Sequence, residues 1–314
     1  MPTETPTHPH HEPVQREPWQ FVLFGGIGDH VLWLSLLTSF RRRTTHPVEV
    51  HCDPSVADLA RLYSGRAYDR LIEVEALDAT EIARLREQRP FVPGTPLLAW
   101  HCNFVGDEVQ YLAAQDLSIA DLIRQLLRLP VVAPLDPPIW PSSVRKAADR
   151  HMRRLGLPVG RTILLAPWAK SAAAVMPMHW WAQVVRHFVD RGFVVACNVG
   201  NRARGFDRLG LDVDLAVLPH TVPIDIPLAE LGPLAEQCGA VICVRSGLTD
   251  LLAFSKVRMC VVWPYDAARE LYFRKLFAIW SVRRVYGSRS VVDLHPEASQ
   301  PFDATTLPDW MAAE

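Results

Sequence analysis

The sequence predicts an α/β protein made of two doubly wound, Rossmann-like domains facing a cleft. Three observations predict it. Short β-type runs alternate with helical apolar patterns along most of the chain, which implies parallel strands joined by crossover helices. Pro130, Pro134, Pro137, Pro138 and Pro141 interrupt that alternation. Proline fixes φ and removes a backbone donor, so this stretch reads as an interdomain linker. The 314 residues suit two medium domains, and 49% hydrophobic with 21% charged residues is an ordinary globular profile with apolar material for two cores.

Residues 1–17 are rich in Pro, Thr and His with almost no apolar content, so a disordered tail is expected there. His8, His10 and His11 read as part of a solvated tail rather than a metal site. The first domain, 18–141, opens with a strand at 20–24. The turn GGIGDH follows, then an apolar helical pattern over 31–40. Strands at 48–52, 71–74 and 97–101 and helices at 54–63 and 116–129 complete it, the last with Leu117, Ala120, Ile123 and Leu127 at helical spacing. An Arg-rich helix at 142–155 starts the second domain, 142–314. Strands are expected at 163–166, 193–199, 215–218, 240–244 and 258–263. Helices are expected at 178–191, 227–237, from RSGLTD through Phe254, and at 267–279. The C-terminal remainder is read as irregular, packing back toward the first domain.

The formal net charge of −1 provides no global field for nucleic acid or an anionic membrane. No apolar run approaches the roughly 18–20 residues of a spanning helix. The N-terminus lacks the basic-then-apolar order of a secretory signal, so a cytoplasmic protein is expected. Cys52, Cys102, Cys197, Cys238, Cys243 and Cys260 form no C-x-x-C pair and read as reduced core residues rather than zinc ligands. No H-E-x-x-H, G-x-S-x-G or Walker A pattern is present.

Three segments carry candidate chemistry. In FGGIGDHVLWL a strand runs into Gly25, Gly26 and Gly28 and then a helix. The helix N-terminus offers free N–H groups, and Asp29 and His30 sit beside it. The bland reading is a glycine turn with Asp29 as an N-cap. In LLAPWAKSAAAVMPMHWW, a strand ends before a polar loop bearing Lys170 and Ser171. The lysine is a point charge suited to a phosphate, or else simply solvated. In AVICVRSGLTDLLAF an apolar strand meets Arg245, Ser246, Gly247, Leu248 and Thr249 at a helix start. This set suits a pyrophosphate; the alternative is plain caps, with Arg245 paired to a carboxylate. Asp212-Val213-Asp214 matches a manganese-binding D-x-D formally but precedes an apolar run and reads as structural. Arg41, Arg42 and Arg43, and the group Arg145, Lys146, Arg150, Arg153 and Arg154, read as solvated helix faces that would also suit an anionic lipid-linked acceptor.

Taken together, over residues 19–265, these segments resemble glycosyltransferase family 9, the heptosyltransferase-like enzymes of lipopolysaccharide and capsule assembly. The resemblance rests on Gly25, Gly28 and Asp29 as G-x-x-G-D, on Lys170, and on Ser246-Gly247. It implies a GT-B fold and a nucleotide-sugar donor whose pyrophosphate meets Lys170, Ser171 and the 245–249 segment. It also implies an acceptor-side loop at Gly25, Gly26 and Gly28; the layout then makes Asp29, at the carboxyl edge of the first sheet, the preferred base and His30 its substitute. The family often has histidine three residues after the second-domain glycine; this chain has Asp250. The usual K-x-W-P loop is also missing around Lys170. The expectation is therefore a metal-independent, inverting glycosyltransferase without cofactor. Its acceptor would be a glycan or lipid-linked glycan, and it would work in the cytoplasm or as a peripheral protein at the inner membrane face. The rivals are a nucleotide-sugar epimerase or hydrolase on the same scaffold, and an inactive nucleotide-sugar-binding protein.

Overall fold

The computed structural model describes residues 16–75, 77–87, 91–99, 112, 114–169, 176–199, 218–264, 277, 279–297 and 299–308. The first domain contains β1 (Trp19–Leu23), α1 (Ile27–Arg41), β2 (Val48–Cys52), α2 (Pro54–Arg61), β3 (Arg70–Glu73), α3 (Ala79–Glu87), β4 (Pro96–Ala99) and α4 (Ile119–Leu126). The second contains α5 (Ser142–Arg154), β5 (Thr162–Ala166), α6 (Met178–Val189), β6 (Val194–Asn198), β7 (Thr221–Ile224) and α7 (Leu228–Ala235). It continues with β8 (Ala240–Val244), α8 (Gly247–Leu252), β9 (Met259–Val262), α9 (Val282–Tyr286) and β10 (Val291–Leu294).

The strands form two sheets, ordered β3-β2-β1-β4 and β10-β9-β8-β5-β6-β7. Every neighbouring pair is parallel. Strands covered on both faces lose the in/out alternation of a half-exposed sheet. TILLA in β5 and AVICV in β8 are accordingly buried at every residue. Helix α1 is buried from Gly28 through Phe40. A helix apolar on all sides must be enclosed on all sides. Here α1 lies on the first sheet and meets α8 of the second domain.

The two cores are not separate. One apolar cluster joins Phe21, Trp33 and Tyr63 to Leu164, Val241 and Leu251. A second cluster, with Trp181 and Phe188, covers the other face of the second sheet. The proline-rich linker is strapped to the first domain. Asp136 N donates to Ser35 O at 3.2 Å, Ile139 N to Leu62 O at 2.9 Å, and Arg66 Nη2 to Pro137 O at 2.7 Å.

Four expectations change. Helix α3 carries no strong apolar pattern, with Leu85 its one buried residue, and the sequence did not reveal it. Of the strand expected at 215–218 only Leu218 is described, and the next strand, β7, begins at Thr221. Leu218 sits in a turn that includes His220 at φ 64°, and residues 215–217 lie outside the described residues. This strand tolerates Pro223 because it is the sheet edge. The C-terminal stretch is not irregular, since α9 and β10 follow one another and β10 adds to β9. Residues 299–308 pack on α6, where Phe302 lies 5.4 Å from Trp180 and its amide donates to Gln183 Oε1 at 2.8 Å. The chain reaches back to the first domain at α9, where Arg284 pairs with Asp116 at 2.7 Å.

Cys52, Cys197, Cys238, Cys243 and Cys260 are buried free thiols. Burial pushes Cys52 up to about 11 and Cys197, Cys238 and Cys260 up to about 12. Cys102, the 8–11 histidines, Asp212-Val213-Asp214 and most of the 267–279 segment lie outside the described residues. Among the described residues no helix is long and apolar enough to cross a membrane.

Candidate functional site

In open parallel sheets a ligand crevice forms at the carboxyl ends of the strands, where strand order reverses. The first sheet reverses between β1 and β4, the second between β5 and β8. The loops after β1 and β8 are therefore the natural places for chemistry, and they touch. A Cβ on Gly28 would overlap the Asp250 carboxylate and stand 3.2 Å from Gly247 Cα. A Cβ on Gly247 would overlap the Gly28 amide nitrogen. Only glycine at both positions allows the two helix starts to meet this closely.

At the first turn, Gly25 takes φ 100° and Gly26 becomes the N-cap of α1. Asp29 is not the N-cap. It is the third helical residue, and its Oδ2 reaches back to accept the Gly26 N–H at 2.9 Å. His30 is buried, and its Nδ1 lies 2.7 Å from Gly26 O. A carbonyl accepts only, so Nδ1 carries the proton and Nε2 keeps its lone pair. Burial lowers the His30 pKa below 6.5; the Gly26 bond and the charges of Asp29 and Asp53 oppose that. The ring is thus neutral at pH 7. Asp53, the N-cap of α2, accepts Ser55 N at 2.8 Å, and the Ser55 hydroxyl together with this amide lowers its pKa.

The second turn is organised around a buried ion pair. Arg245 Nη1 lies 2.8 Å from Asp250 Oδ2 and Nη2 2.9 Å from Oδ1. Their side chains are 12% and 4% exposed. Arg245 also donates to Trp280 O at 3.1 Å, Ser246 O at 2.6 Å and Thr249 Oγ1 at 2.8 Å. Its guanidinium lies 5.9 Å from the ring centres of both Trp263 and Trp280. Burial works against the Arg245 charge, but Asp250 more than offsets it and the guanidinium pKa rises. Burial likewise raises the Asp250 carboxyl against the pull of Arg245. The bidentate contact keeps it ionised. The Tyr286 hydroxyl is buried beside the pair, and burial, with the Asp250 charge next to it, pushes its pKa well above the ordinary value.

The geometry commits Arg245 to Asp250 instead of turning it toward a ligand. Thr249 Oγ1 is engaged too, donating to Ser246 O at 2.5 Å. Ser246 occupies the N-cap of α8, yet its hydroxyl forms no cap. The amides of Gly247 and Leu248 have no acceptor among the described residues. Lys170 and Ser171 lie outside the described residues, just beyond Trp168 and Ala169, which are buried after β5. Asp53, Asp250 and Tyr286 are the members that sequence reasoning did not assign. An open concavity of about 680 Å³ lies at the β10 edge, lined by Ser281, Arg283, Arg284, Asp293 and His295. It is two strands away from the reversal at β5 and β8, so the facing turns are the better candidate.

Two parallel-sheet α/β domains with facing switch points define the GT-B class of fold. No protein-family profile and no curated protein sequence matches the chain. Solved structures do. The glycosyl transferase family 9 protein from Veillonella parvula matches with a TM-score of 0.61 and 13% identity, over 89% of this chain and 86% of that one. The E. coli ADP-heptose LPS heptosyltransferase II matches at 0.53 and 11%, over 94% and 98%. The E. coli heptosyltransferase WaaC with ADP matches at 0.51 and 13%, over 89% and 95%. The likeness is one of fold, and it is the fold the family resemblance implied.

Proposed function

We propose that the protein is a glycosyltransferase that moves a sugar from a nucleotide-sugar donor to a glycan or lipid-linked glycan, with inversion and without a divalent metal. The observation that carries this reading is the meeting of the two switch points. A neutral imidazole with a free lone pair stands on one side. On the other stand the Gly247 and Leu248 amides and the Ser246 hydroxyl, which have no partner among the described residues. The GT-B fold shared with heptosyltransferases, one of them solved with ADP, supports a nucleoside diphosphate as the leaving group.

In this reading the acceptor hydroxyl attacks the anomeric carbon while His30 Nε2 takes its proton. Asp29 and Asp53 stabilise the imidazolium that forms, and Asp29 becomes the alternative base. The departing diphosphate gains charge, which the Gly247 and Leu248 amides, Ser246, Lys170 and Ser171 neutralise. Arg245 serves this site by holding α8 in place. Displacement on one face with departure from the other gives inversion. The protein works in the cytoplasm.

A thermal-shift screen against ADP-, UDP-, GDP-, CMP- and dTDP-sugars tests the donor, because a ligand that binds the native state raises its melting point. One nucleotide class is expected to raise Tm and to be released as diphosphate when an acceptor is added. No shift with any donor would overturn the reading. Activity lost with EDTA and restored by manganese would overturn metal independence.

A further inference from the structure

Domains within one chain move relative to one another by default, and they stop doing so where the interface between them is large and apolar. The junction here is of the second kind. One apolar cluster includes Leu34 and Leu37 of α1, Leu248 and Leu251 of α8, and Val282 and Val285 of α9. Helix α1 is buried from Gly28 through Phe40 and meets α8. Swinging the second domain away would strip cover from α1 and put apolar side chains into water. At the turns, the contact of Gly28 with Gly247 leaves no room even for a methyl group.

A hinge needs a few residues free to absorb changes in φ and ψ. The linker is instead held from both sides. Beyond the contacts at Asp136, Pro137 and Ile139, the first domain donates from Arg124 Nε to Ala133 O at 2.9 Å and from Ser39 Oγ to Pro134 O at 3.3 Å. On the other side, Trp140 is buried with its ring against α7 of the second domain. The packing is close enough that a Cβ on Gly232 would overlap that ring.

Helix α9 belongs to the second domain and reaches into the first. Val282 and Val285 enter the shared core. Arg284 donates to Asp116 O and pairs with the Asp116 carboxylate at 2.7 Å. The ion pair is exposed and weak. The carbonyl bond matters more, because Asp116 has φ 54°, a conformation that a non-glycine residue keeps only when its surroundings hold it. The Tyr286 hydroxyl is buried, with Asp250 of α8 and Tyr63 of the first domain close enough to shift its titration. Tyr63 in turn lies 3.1 Å from Ser35 Oγ of α1. We propose that α9 clasps the two domains into one rigid body, so that the cleft at the facing turns is assembled before any ligand enters. Ligands then bind without domain closure. This inference does not rest on sugar transfer, and its test uses no donor.

Pulsed dipolar spectroscopy on the full chain without ligand tests it. Spin labels are placed at Asp58→Cys in α2 and Arg186→Cys in α6, both exposed positions, one in each domain. Cys102 is replaced by serine, and the buried native thiols stay unlabelled. The otherwise native chain is expected to give one narrow distance population at the spacing of this structure. Arg284→Ala with Tyr286→Ala should broaden that population and add longer distances. If that pair fails to fold, Arg284→Ala alone, at a partly exposed side chain, carries the test and should broaden the population to a smaller extent. A broad or two-population distribution in the chain with α9 intact would show domains that move freely and would overturn the proposal. A distribution that stays as narrow in the α9 variants would overturn the role of α9 as the clasp.

Discussion

The two turns that meet at the domain junction begin alike and end differently. Each is a strand running through glycine into a helix, and each places an acidic residue in the first helical turn. In the β1–α1 turn the acid, as third helical residue, accepts the Gly26 N–H, and the Nε2 of the neighbouring His30 has no partner among the described residues. In the β8–α8 turn the acid is taken by Arg245, so both charges are neutralised internally. The lesson is that strong charge near a cleft is not the same as charge available to a ligand. In the proposed reading the first turn reacts and the second holds shape, leaving backbone amides and a serine for binding. Contact between Gly28 and Gly247 makes the rigidity of the second turn matter to the first.

The comparison breaks most sharply at His30. His30→Asn keeps an N–H near the Nδ1 position but removes the Nε2 lone pair. With the donor found by the screen, turnover should fall roughly 10²–10⁴-fold while donor binding persists. Asp29→Asn, which can still accept the Gly26 N–H, should cost less. The acid limb of kcat/KM should lie somewhat below 6.5, where burial places His30. The opposite ranking of the two variants, with a limb near the carboxylate value of about 4, would make Asp29 the base.

Next comes the ion pair. Arg245→Ala leaves a buried Asp250 carboxylate without its partner, which should cost about 3–5 kcal/mol in urea denaturation. Replacing both, Arg245→Met with Asp250→Leu, should recover most of that. If Arg245→Ala folds with wild-type stability and loses only nucleotide affinity, the guanidinium belongs to the ligand after all. Gly28→Ala is a smaller perturbation. The added methyl collides with Asp250 and with Gly247 backbone, so overpacking should cost about 1–3 kcal/mol. Unaltered stability there would mean that the two turns do not press on each other.

The sheets were legible because buried parallel strands read as unbroken apolar runs, and 240–244 became β8 residue for residue. Edge elements were less legible. β7 contains Pro223, and the pattern in β10 is only four residues long. The facing turns were legible because strand, glycine and helix in succession admit few other structures. Their inner wiring was not. An acid near a helix start reads the same whether it is the N-cap or the third residue, and that choice depends on where the first turn begins. Nor does sequence tell whether Arg245 faces a ligand or folds onto Asp250 five residues on, since either arrangement satisfies the same polar groups.

The smallest effect separates the turns by pH. Burial lowers the pKa of His30, and also of His51, His187 and His295. In the unfolded chain each returns to an ordinary value near 6.5. Below that value the unfolded state binds more protons than the native state, so stability falls as pH drops. It is fully present above about 6.5 and declines as pH falls through the native values. The β8–α8 turn contains no histidine. Any histidine contribution of the facing turns to the pH slope must therefore come from His30. Urea denaturation between pH 5.5 and 7.5 should show stability rising with pH, and His30→Asn should flatten the rise by less than one proton. A wild-type profile that is flat, or a slope that His30→Asn leaves untouched, would mean that His30 titrates alike folded and unfolded. It would then not be the buried, neutral group that distinguishes the first turn from the second.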